Sequence, residues 1–383
     1  MKIAIVVRLL WSAGTQKFAI LQARALVKAG HDVEIIFLRK SKSGAVYDDL
    51  LKDLNFKIIS ERNRSILVPV YDWITGIFMQ NRKGEGKVDY NLIRGFPKYA
   101  LDKYDLIICQ DQWAGLAGYY NWRKYGTPYF VIIHERVNKF PWVKGIKRVL
   151  VWLALRYQKV ILLNAKKILS LTKKVADTVN EMYPKYGITC VDDFPGIEER
   201  NFIDYSEKEN KIALVSFWNE VKTPEIYIGI FESINNYNFL MIGNWISESY
   251  KNSFISKLKE RGVFEKVTFL SGISESEKNK EISKCKFFMR FGKGEYGPGY
   301  GTIEALEMGV PVIINTDLGI SDYLVDYNCA LILDDPTDPS EIIKVKRFIE
   351  KNDNPDAYQY MQNEIKRFIK THSWESHVER LLG

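Results

Sequence analysis

Short apolar runs alternate with amphipathic stretches from one end of the chain to the other. The runs are continuous and rich in Val, Ile and Leu, a pattern typical of parallel strands that helices cover on both faces. In the first half, strands are predicted at 2–7, 32–38, 56–59, 104–109, 128–133 and 168–171, with helices between them. In the second half, they are predicted at 211–216, 238–242, 266–270, 286–290, 311–314 and 329–333, with helices near 222–234, 249–261, 275–284, 302–308 and 338–350. The pattern predicts an α/β chain with two doubly wound parallel sheets.

The break between the two sets of strands is predicted near 190–210, where VDDFPGIEERNFIDYSEKEN is polar and rich in turn formers. We therefore predict one Rossmann-like domain over 1–190 and a second over 196–362. Ligands of such sheets bind outside the carboxyl ends of the strands. The expected site is a cleft between the two domains.

The composition favours a two-domain cytoplasmic protein without a metal site. The chain has 383 residues, 46% of them hydrophobic, which is enough for two cores. Its four cysteines form no CxxC pair, which favours reduced thiols and a cytoplasmic setting. No His, Cys and acidic cluster has metal-ligand spacing, so no metal or other cofactor is expected. The start, MKIAIVVRLL, is interrupted by Arg8 and is interpreted as a buried strand rather than a signal peptide.

Charge is distributed unevenly. Residues 1–190 carry 32 Lys and Arg against 15 Asp and Glu, a net +17, whereas the remainder is net −9. An excess this large on one domain indicates an anionic partner.

The segment 294–314, GEYGPGYGTIEALEMGVPVII, combines a glycine-rich loop with the start of a helix. Glycines allow close approach of the backbone to a ligand, and the N–H groups of a helix start bind phosphate. We predict phosphate contacts from the backbone of Gly299, Tyr300 and Gly301. Glu304, expected in the first helical turn, is predicted to accept hydrogen bonds from a ribose diol. Together these features predict a nucleotide-diphosphate site.

Several motifs in a fixed order point to a family. They are KIAIVVRLLWSAGTQKFAILQARALVKAGHDVEII, DLIICQDQWAG, GTPYFVIIHE, FPGIEERNF, the 294–314 segment and the terminal SWESHVERLLG. In this order the chain resembles the group 1 glycosyltransferases, nucleotide-sugar enzymes of the two-domain GT-B fold. The resemblance covers nearly the whole length. It implies that a closing helix over about 363–383 packs back on the first domain.

The resemblance also implies roles for single residues. His134 would lie in the catalytic cleft, and Gly14 in the first glycine loop would meet the donor or acceptor. Lys222 would bind phosphate, offsetting charge on the leaving group. Separately, Asp111, which follows a predicted strand, is an acceptor-side candidate.

The chain departs from the family pattern at two points. Ser216 and Phe217 stand where the family has a Gly-Arg pair, so a phosphate-binding arginine is missing; Arg290 and Lys293 are the candidate replacements. Tyr296 occupies the position of the first donor-motif glutamate, and Glu295 would restore the carboxylate by a slip of one residue.

The resemblance implies transfer of a sugar from a nucleotide-diphosphate sugar with retention of anomeric configuration, without a metal. The acceptor would be a glycan or a lipid-linked sugar. Two alternatives stay open: a catalytically weak sugar-nucleotide-binding protein of the same fold, and a glycosyltransferase acting on nucleic-acid bases. The second is disfavoured because the sequence contains no nucleic-acid recognition motif.

The stretch 143–163 predicts a basic amphipathic helix. Ile146, Val149, Leu150, Leu153, Ala154, Tyr157, Val160 and Ile161 are predicted on its apolar side. Val151, Trp152 and Leu155 fall among the cations Lys144, Lys147, Arg148, Arg156 and Lys159 instead. This mixture indicates a helix that lies on an anionic membrane, at the inner face. The alternative is a core helix whose second apolar side is covered by another segment, such as 64–83.

Overall fold

The computed structural model describes residues 1–10, 14–40, 48–60, 100–137, 144–145, 147–200 and 202–383. The chain forms two compact units. The first contains Met1–Gly196 and Trp374–Gly383, and the second contains Ile197–Ser373.

The first unit contains a seven-stranded sheet, and described helices connect its successive strands except between β3 and β4, where residues 61–99 lie outside the described chain. Its strands are β1 (Lys2–Leu10), β2 (Asp32–Lys40), β3 (Asn55–Ser60), β4 (Leu106–Gln110), β5 (Tyr129–Ile133), β6 (Lys167–Ser170) and β7 (Val191–Asp192). Its helices are α1 (Gly14–Lys28), α2 (Asp48–Leu51), α3 (Gly115–Tyr125), α4 (Lys147–Asn164), α5 (Lys173–Met182) and, from the end of the chain, α13 (Trp374–Leu382). The order in the sheet is β3-β2-β1-β4-β5-β6-β7, and every pair is parallel.

The second unit repeats this winding with six strands. They are β8 (Glu209–Val215), β9 (Asn238–Ile242), β10 (Val267–Leu270), β11 (Cys285–Arg290), β12 (Val312–Asn315) and β13 (Ala330–Leu333). Its helices are α6 (Ile228–Ser233), α7 (Glu248–Glu260), α8 (Glu275–Ser283), α9 (Tyr300–Glu307), α10 (Ser321–Leu324), α11 (Pro339–Asn352) and α12 (Pro355–Thr371). The order is β10-β9-β8-β11-β12-β13, again with parallel pairs throughout.

Each sheet reverses its winding direction at one point. In the first unit this topological switch point lies between β1 and β4, and in the second between β8 and β11. The apolar central residues of the strands on either side are buried, as expected for strands that helices cover on both faces. In open α/β sheets, ligands bind outside the carboxyl ends of the strands at such a switch point.

The predicted α/β class with two doubly wound parallel sheets is confirmed. Each of the twelve predicted strands is present, with its ends within three residues of the predicted ones. The helix predicted over 222–234 is wrong at its start. Thr223 has φ 41°, and a 3₁₀ turn over Pro224–Tyr227 precedes the α-helix, which begins at Ile228.

The end of the chain also differs from prediction. Instead of one helix over 363–383 there are two, α12 and α13, which end and begin on either side of His372 and Ser373. Ser373 forms a parallel bridge with Ile197, and His372 accepts a hydrogen bond from the Ile197 N–H at 2.8 Å. Pairing in an extended conformation is incompatible with a continuous helix, so the chain breaks there and α12 stays with the second unit.

Helix α4 confirms the predicted helix but only part of its predicted apolar side. Val151, Ala154, Gln158, Ile161 and Leu162 are buried, whereas Val149 and Tyr157, predicted on the apolar side, are 54% and 44% exposed. The helix packs against α3, where the Ile161 side chain lies against Gly115, and its buried side also includes Val151, which was predicted among the cations. Trp152 is 54% exposed, in line with its predicted place among the cations. The segment 64–83 lies outside the described residues, and no helix within the described ranges is long and apolar enough to span a membrane.

Candidate functional site

In the second unit, the loop after β11 is held by buried polar contacts. Asn315 at the end of β12 bonds the backbone of Gly292 in both directions, with Nδ2 donating to the carbonyl and Oδ1 accepting from the N–H, each at 2.9 Å. The Phe291 N–H donates to the Tyr227 hydroxyl at 2.8 Å. Because these contacts fix the start of the loop, the position of Glu295 three residues later is well defined.

Glu295 lies between two cations. Its Oε2 accepts from Arg290 Nη2 at 2.7 Å and forms an ion pair with Lys222 Nζ. Arg290, the last residue of β11, also donates from Nη1 to the carbonyl of Val215, the last residue of β8, at 3.0 Å. The arginine therefore bridges the two strands that define the switch point, and three charged groups predicted separately are brought together there.

The electrostatics of this cluster favour an anion. Burial acts to raise the pKa of Glu295, but the adjacent charges of Arg290 and Lys222 outweigh it and hold that pKa below its usual value. Two cations thus share one oxygen of one carboxylate. An anion with several oxygens, such as a diphosphate, would satisfy more of their donors.

The position of Lys222 depends on a short turn. The side chain of Asn219 accepts from the N–H groups of Val221 and Lys222, both at 3.0 Å. Thr223 then adopts its left-handed conformation, which ends the turn. An Asx turn of this kind is a local structure that the sequence encodes within five residues.

The first turn of α9 lies beside the same cluster. Gly299 has φ 69° and caps the helix in a left-handed conformation. A side chain at Gly301 would come within 3.3 Å of Val215, so the missing Cβ lets the helix approach the end of β8. Within the described chain, the buried atoms Thr302 Oγ1, Arg290 Nε and Glu295 Oε1 have no hydrogen-bond partner. Buried polar groups are nearly always paired, so such a cluster indicates a ligand site.

Glu304 lies in the second turn of α9, as its fifth residue, and not in the first turn as predicted, because the helix begins two residues earlier. It is 5% exposed and pairs with Lys278 Nζ at 3.0 Å. Lys278 also pairs with Glu275 at 2.7 Å. The carboxylate is thus held on the side of the helix by a lysine from α8.

The two candidate replacements for the missing arginine are in different places. Arg290 is nearly buried and shares Glu295 with Lys222. Lys293 is exposed, and its charge acts on Asp335. Only Arg290 of these two contacts the cluster, and Glu295 rather than Tyr296 supplies its carboxylate.

In the first unit, Asp111 follows β4 with φ 105°. Its Oδ1 accepts from the N–H groups of Trp113 and Ala114, both at 2.7 Å, and its Oδ2 forms an ion pair with Arg8 of β1. The pair joins β1 to β4 across the switch point. Both oxygens of this acceptor-side candidate are engaged within the unit.

His134 follows β5 and is 7% exposed. Its Nε2 lies 2.8 Å from Gln110 Oε1, and Phe18 packs edge-on against its ring at 5.3 Å. Burial and the charge of Arg8 lower the pKa of His134 to about 3. The imidazole is therefore neutral at pH 7, with one N–H donor and one lone pair.

Gly14 is the first residue of α1, and the three residues before it lie outside the described chain.

Several residues of these clusters were not singled out from sequence. They are Arg8, Gln22, Gln110, Lys278 and Thr302. The signal available for Gln22 and Gln110 was a polar residue at an inward position of an otherwise apolar element.

Solved structures similar to this chain are glycosyltransferases and related synthases. HepE of Anabaena in complex with UDP matches with a TM-score of 0.73 at 12% identity, covering 100% of this chain and 98% of that one. Sucrose-phosphate synthase of Thermosynechococcus elongatus matches with 0.69 at 15% identity, covering 100% and 97%. WaaG, a glycosyltransferase involved in lipopolysaccharide biosynthesis, matches with 0.63 at 14% identity, covering 99% and 98%. At these identities the likeness establishes the fold, which is GT-B.

Sequence models of two families match the chain. Residues 13–187 match the glycosyl transferase 4-like domain, and residues 197–368 match glycosyl transferases group 1. No curated protein sequence matches the chain significantly. The two matches cover both units in the order that the motifs predict, and the chain belongs to the group 1 glycosyltransferases.

Proposed function

We propose that this glycosyltransferase uses a nucleotide-diphosphate sugar as donor and transfers the sugar with retention of anomeric configuration. The observation that carries the proposal is the convergence of Lys222 and Arg290 on one oxygen of Glu295, beside the N-terminus of α9. HepE binds UDP and WaaG is a glycosyltransferase of lipopolysaccharide biosynthesis, which supports a donor of this class.

The diphosphate would be held without a metal. Lys222 and Arg290 supply two positive charges, and Gly299, Tyr300 and Gly301 supply the N–H groups of the first turn of α9. Arg290 takes the place of the arginine missing after β8. When a diphosphate binds, its oxygens replace Glu295 Oε2 on the two cations and engage Arg290 Nε and Thr302 Oγ1.

The freed carboxylate of Glu295 would then face the sugar hydroxyls, and Glu304 would accept from the ribose diol. Gly14 lets the backbone of the first loop approach the substrates, and His134 contacts the sugar, as the family resemblance implies. Asp111 is proposed on the acceptor side.

During transfer, the bond between C1 of the sugar and the diphosphate oxygen breaks, and its electron pair leaves with the diphosphate. The oxygen of an acceptor hydroxyl forms the new bond to C1 on the same face, and its proton passes to the departing phosphate oxygen. No protein nucleophile is needed. Lys222 and Arg290 stabilise the charge that develops on the leaving group.

The experiment combines a donor screen with one substitution. We expect calorimetry to detect at least one nucleoside diphosphate among UDP, GDP and ADP, and the matching sugar nucleotide to release nucleotide when acceptor is added. Glu295→Gln should strengthen inorganic pyrophosphate binding by about 1 kcal/mol, because the competing carboxylate is lost, and should lower transfer. Lys293→Gln is the matched control and should change neither quantity.

Two results would overturn the proposal. Pyrophosphate binding that is unchanged in Glu295→Gln would remove the cluster from the diphosphate site. Tight nucleotide binding without release from any sugar nucleotide would favour the alternative of a sugar-nucleotide-binding protein. The anomeric coupling constant in the proton spectrum of the product decides between retention and inversion.

We further propose that α4 docks on an anionic membrane, at its cytoplasmic face, where a lipid-linked acceptor would be reached. Trp152 is exposed with Arg156 stacked on it at 5.4 Å, and Arg148 is exposed one turn earlier. An exposed indole among cations suits the interface between headgroups and acyl chains, and each cation near such a surface contributes about 1 kcal/mol. Charge complementarity with the net +17 of residues 1–190 supports this partner.

Vesicle co-sedimentation tests the docking. We expect binding to vesicles of phosphatidylglycerol and phosphatidylcholine at low salt, weaker binding at high salt, and none to phosphatidylcholine alone. Trp152→Ser with Arg156→Gln should reduce binding at least fivefold. Ile343→Ser with Lys346→Gln, an exposed apolar–lysine pair on α11, is the matched control and should have no effect. Negligible binding to both vesicle types would leave a water-soluble acceptor.

A further inference from the structure

A continuous polar chain crosses the otherwise apolar interior of the first unit. Its members are His134, Gln110, Gln22, His377 and Asp193, and we name it the amide–imidazole chain. They come from the end of β5, the end of β4, α1, α13 and the segment after β7. Gln22, Gln110 and His377 have no exposed surface, and Asp193 is 4% exposed.

Hydrogen bonds join the first four members of the chain, and an ion-pair contact joins the fourth to Asp193. His134 Nε2 lies 2.8 Å from Gln110 Oε1, and Gln110 Nε2 lies 2.7 Å from Gln22 Oε1. Gln22 Nε2 lies 2.9 Å from His377 Nε2. His377 Nδ1 lies 3.1 Å from Asp193 Oδ2, an ion-pair distance at which the two atoms are not aligned as a hydrogen bond.

The direction of donation follows from the end of the chain. Asp193 Oδ2 lies 3.1 Å from His377 Nδ1 as an ion-pair contact, and Arg380 Nε holds the other carboxylate oxygen at 2.8 Å. A lone pair on Nδ1 would face this negative charge, so the carboxylate favours the proton of His377 on Nδ1. In a neutral imidazole the second nitrogen is then an acceptor, and it receives the N–H of Gln22. The two glutamines keep this direction. The Gln22 carbonyl oxygen accepts from the Gln110 amide nitrogen, and the Gln110 carbonyl oxygen faces Nε2 of His134.

The last member of the chain is His134. Since Gln110 presents its carbonyl oxygen, His134 must carry its proton on Nε2, which leaves a lone pair on Nδ1. Among the described residues, Nδ1 has no hydrogen-bond partner. A lone pair in that position can accept a hydrogen bond from a hydroxyl group but cannot donate one.

Aromatic packing fixes the ring planes at both ends of the chain. Phe18 packs edge-on against His134 at 5.3 Å and against His377 at 5.5 Å. Trp374 packs edge-on against His377 at 5.4 Å. Neither imidazole can turn over without displacing the ring of Phe18, which is fully buried, so the protons are set by the chain rather than by ring rotation.

We propose that the amide–imidazole chain sets the tautomer of His134, with Gln110 and Gln22 as positioning residues and Asp193 as the group that fixes the direction. The closing helix α13, through His377, thereby determines that His134 presents a hydrogen-bond acceptor. A hydroxyl of the sugar or of the acceptor is the ligand chemistry that this acceptor suits. The assignment of this ligand rests on the proposed function, whereas the assignment of the His134 tautomer does not.

The test uses no substrate. The chain has four histidines, so long-range ¹H–¹⁵N spectra of the full-length protein with ¹⁵N-histidine resolve each ring and its tautomer. His31→Gln and His372→Gln remove the two signals that do not belong to the chain. We expect the Nε2–H pattern for His134 and the Nδ1–H pattern for His377.

Two substitutions then break the chain at different points. Gln22→Met keeps the size of the side chain and removes its hydrogen bonds, and Asp193→Asn removes the group that only accepts. In each folded variant we expect the His134 signals to move toward a mixture of tautomers. Lys28→Gln is the control on the same helix, on an exposed side chain, and should leave the signals unchanged.

A wild-type His134 in the Nδ1–H form or in a mixture would overturn the proposal, whatever the stability of the variants. An Nε2–H signal that persists unchanged in both variants would also overturn it. If the tautomers are as expected but no sugar nucleotide is turned over, the chain stands and the proposed function fails. The two hypotheses are therefore separable.

Discussion

Both sheets carry an arginine–carboxylate pair at the topological switch point. The two pairs differ in whether their buried polar atoms have hydrogen-bond partners. In the first unit, Arg8 pairs with Asp111, whose second oxygen accepts from two backbone N–H groups. In the second unit, Arg290 pairs with Glu295, which Lys222 also contacts. There, one carboxylate oxygen and one guanidinium nitrogen are buried without a partner among the described residues.

The comparison separates a structural ion pair from a binding site built of the same residue types. The Arg8–Asp111 pair is neutral as a whole and ties a strained backbone to the next helix. The cluster of Lys222, Arg290 and Glu295 carries one excess positive charge beside a helix N-terminus, so an anion would complete it. In the first unit, the other buried polar groups near this pair are neutral: the imidazole of His134 and the side-chain amides of Gln110 and Gln22.

The largest expected effect is on the second cluster. Lys222→Met should weaken binding of a nucleoside diphosphate by about 2–3 kcal/mol, roughly 30- to 150-fold in Kd, because a charge-assisted hydrogen bond is lost. Calorimetry on the purified protein measures it. Lys293→Met removes an exposed lysine two residues before Glu295 and should leave Kd within about twofold.

Equal losses in Lys222→Met and Lys293→Met would mean that general positive charge attracts the nucleotide. The difference between the two switch points would then have no bearing on binding. A rise in Kd for Lys222→Met that disappears at high salt would indicate the same.

The next effect concerns Glu304. Glu304→Ala should reduce transfer by about 2 kcal/mol, since a ribose diol would lose a charged acceptor. The fold should survive, because Lys278 retains Glu275. Glu275→Ala removes the other carboxylate on that lysine and serves as the control, with unchanged donor affinity. A folded Glu304→Ala variant with normal donor affinity would remove Glu304 from the site.

A smaller effect is expected at His134 in the first unit, whose imidazole is neutral. In His134→Gln, the side-chain amide can still donate to Gln110, while the acceptor at Nδ1 is lost. Turnover should fall about tenfold, the contribution of one hydrogen bond, and the melting temperature should change by less than about 3 °C. A fully active variant, or one that fails to fold, would return His134 to a purely structural role.

The fold followed from sequence because buried parallel strands are local features. A run such as LIICQ, which forms β4, is recognisable from five residues, and the alternation with helices then limits the topology. The errors arose where contacts between distant segments override the local pattern. The break at Ser373 depends on Ile197, and the buried face of α4 depends on packing against α3.

The candidate site was predictable only in part for the same reason. The glycine-rich start of α9 and Lys222 were visible as motifs. The choice of Arg290 over Lys293 was not, because it depends on the carbonyl of Val215, which lies 75 residues earlier in the chain. Contacts such as that between Gln22 and His377, 355 residues apart, leave no periodic pattern in a single sequence.

The smallest expected effect, and the one that best isolates the structural pair, is that of Asp111→Asn. Asparagine tolerates the left-handed backbone at this position, and its side-chain oxygen can still accept from Trp113 and Ala114. Only the ion pair with Arg8 is lost, so unfolding by denaturant should become easier by about 1 kcal/mol. Arg8→Gln should cost a similar amount, and the double variant little more than either, as a thermodynamic cycle for a coupled pair requires. Nucleotide affinity should be unchanged in all three variants. Additive losses would mean that Arg8 and Asp111 act separately, and a raised KM for acceptor in Asp111→Asn would support the proposed place of Asp111 on the acceptor side.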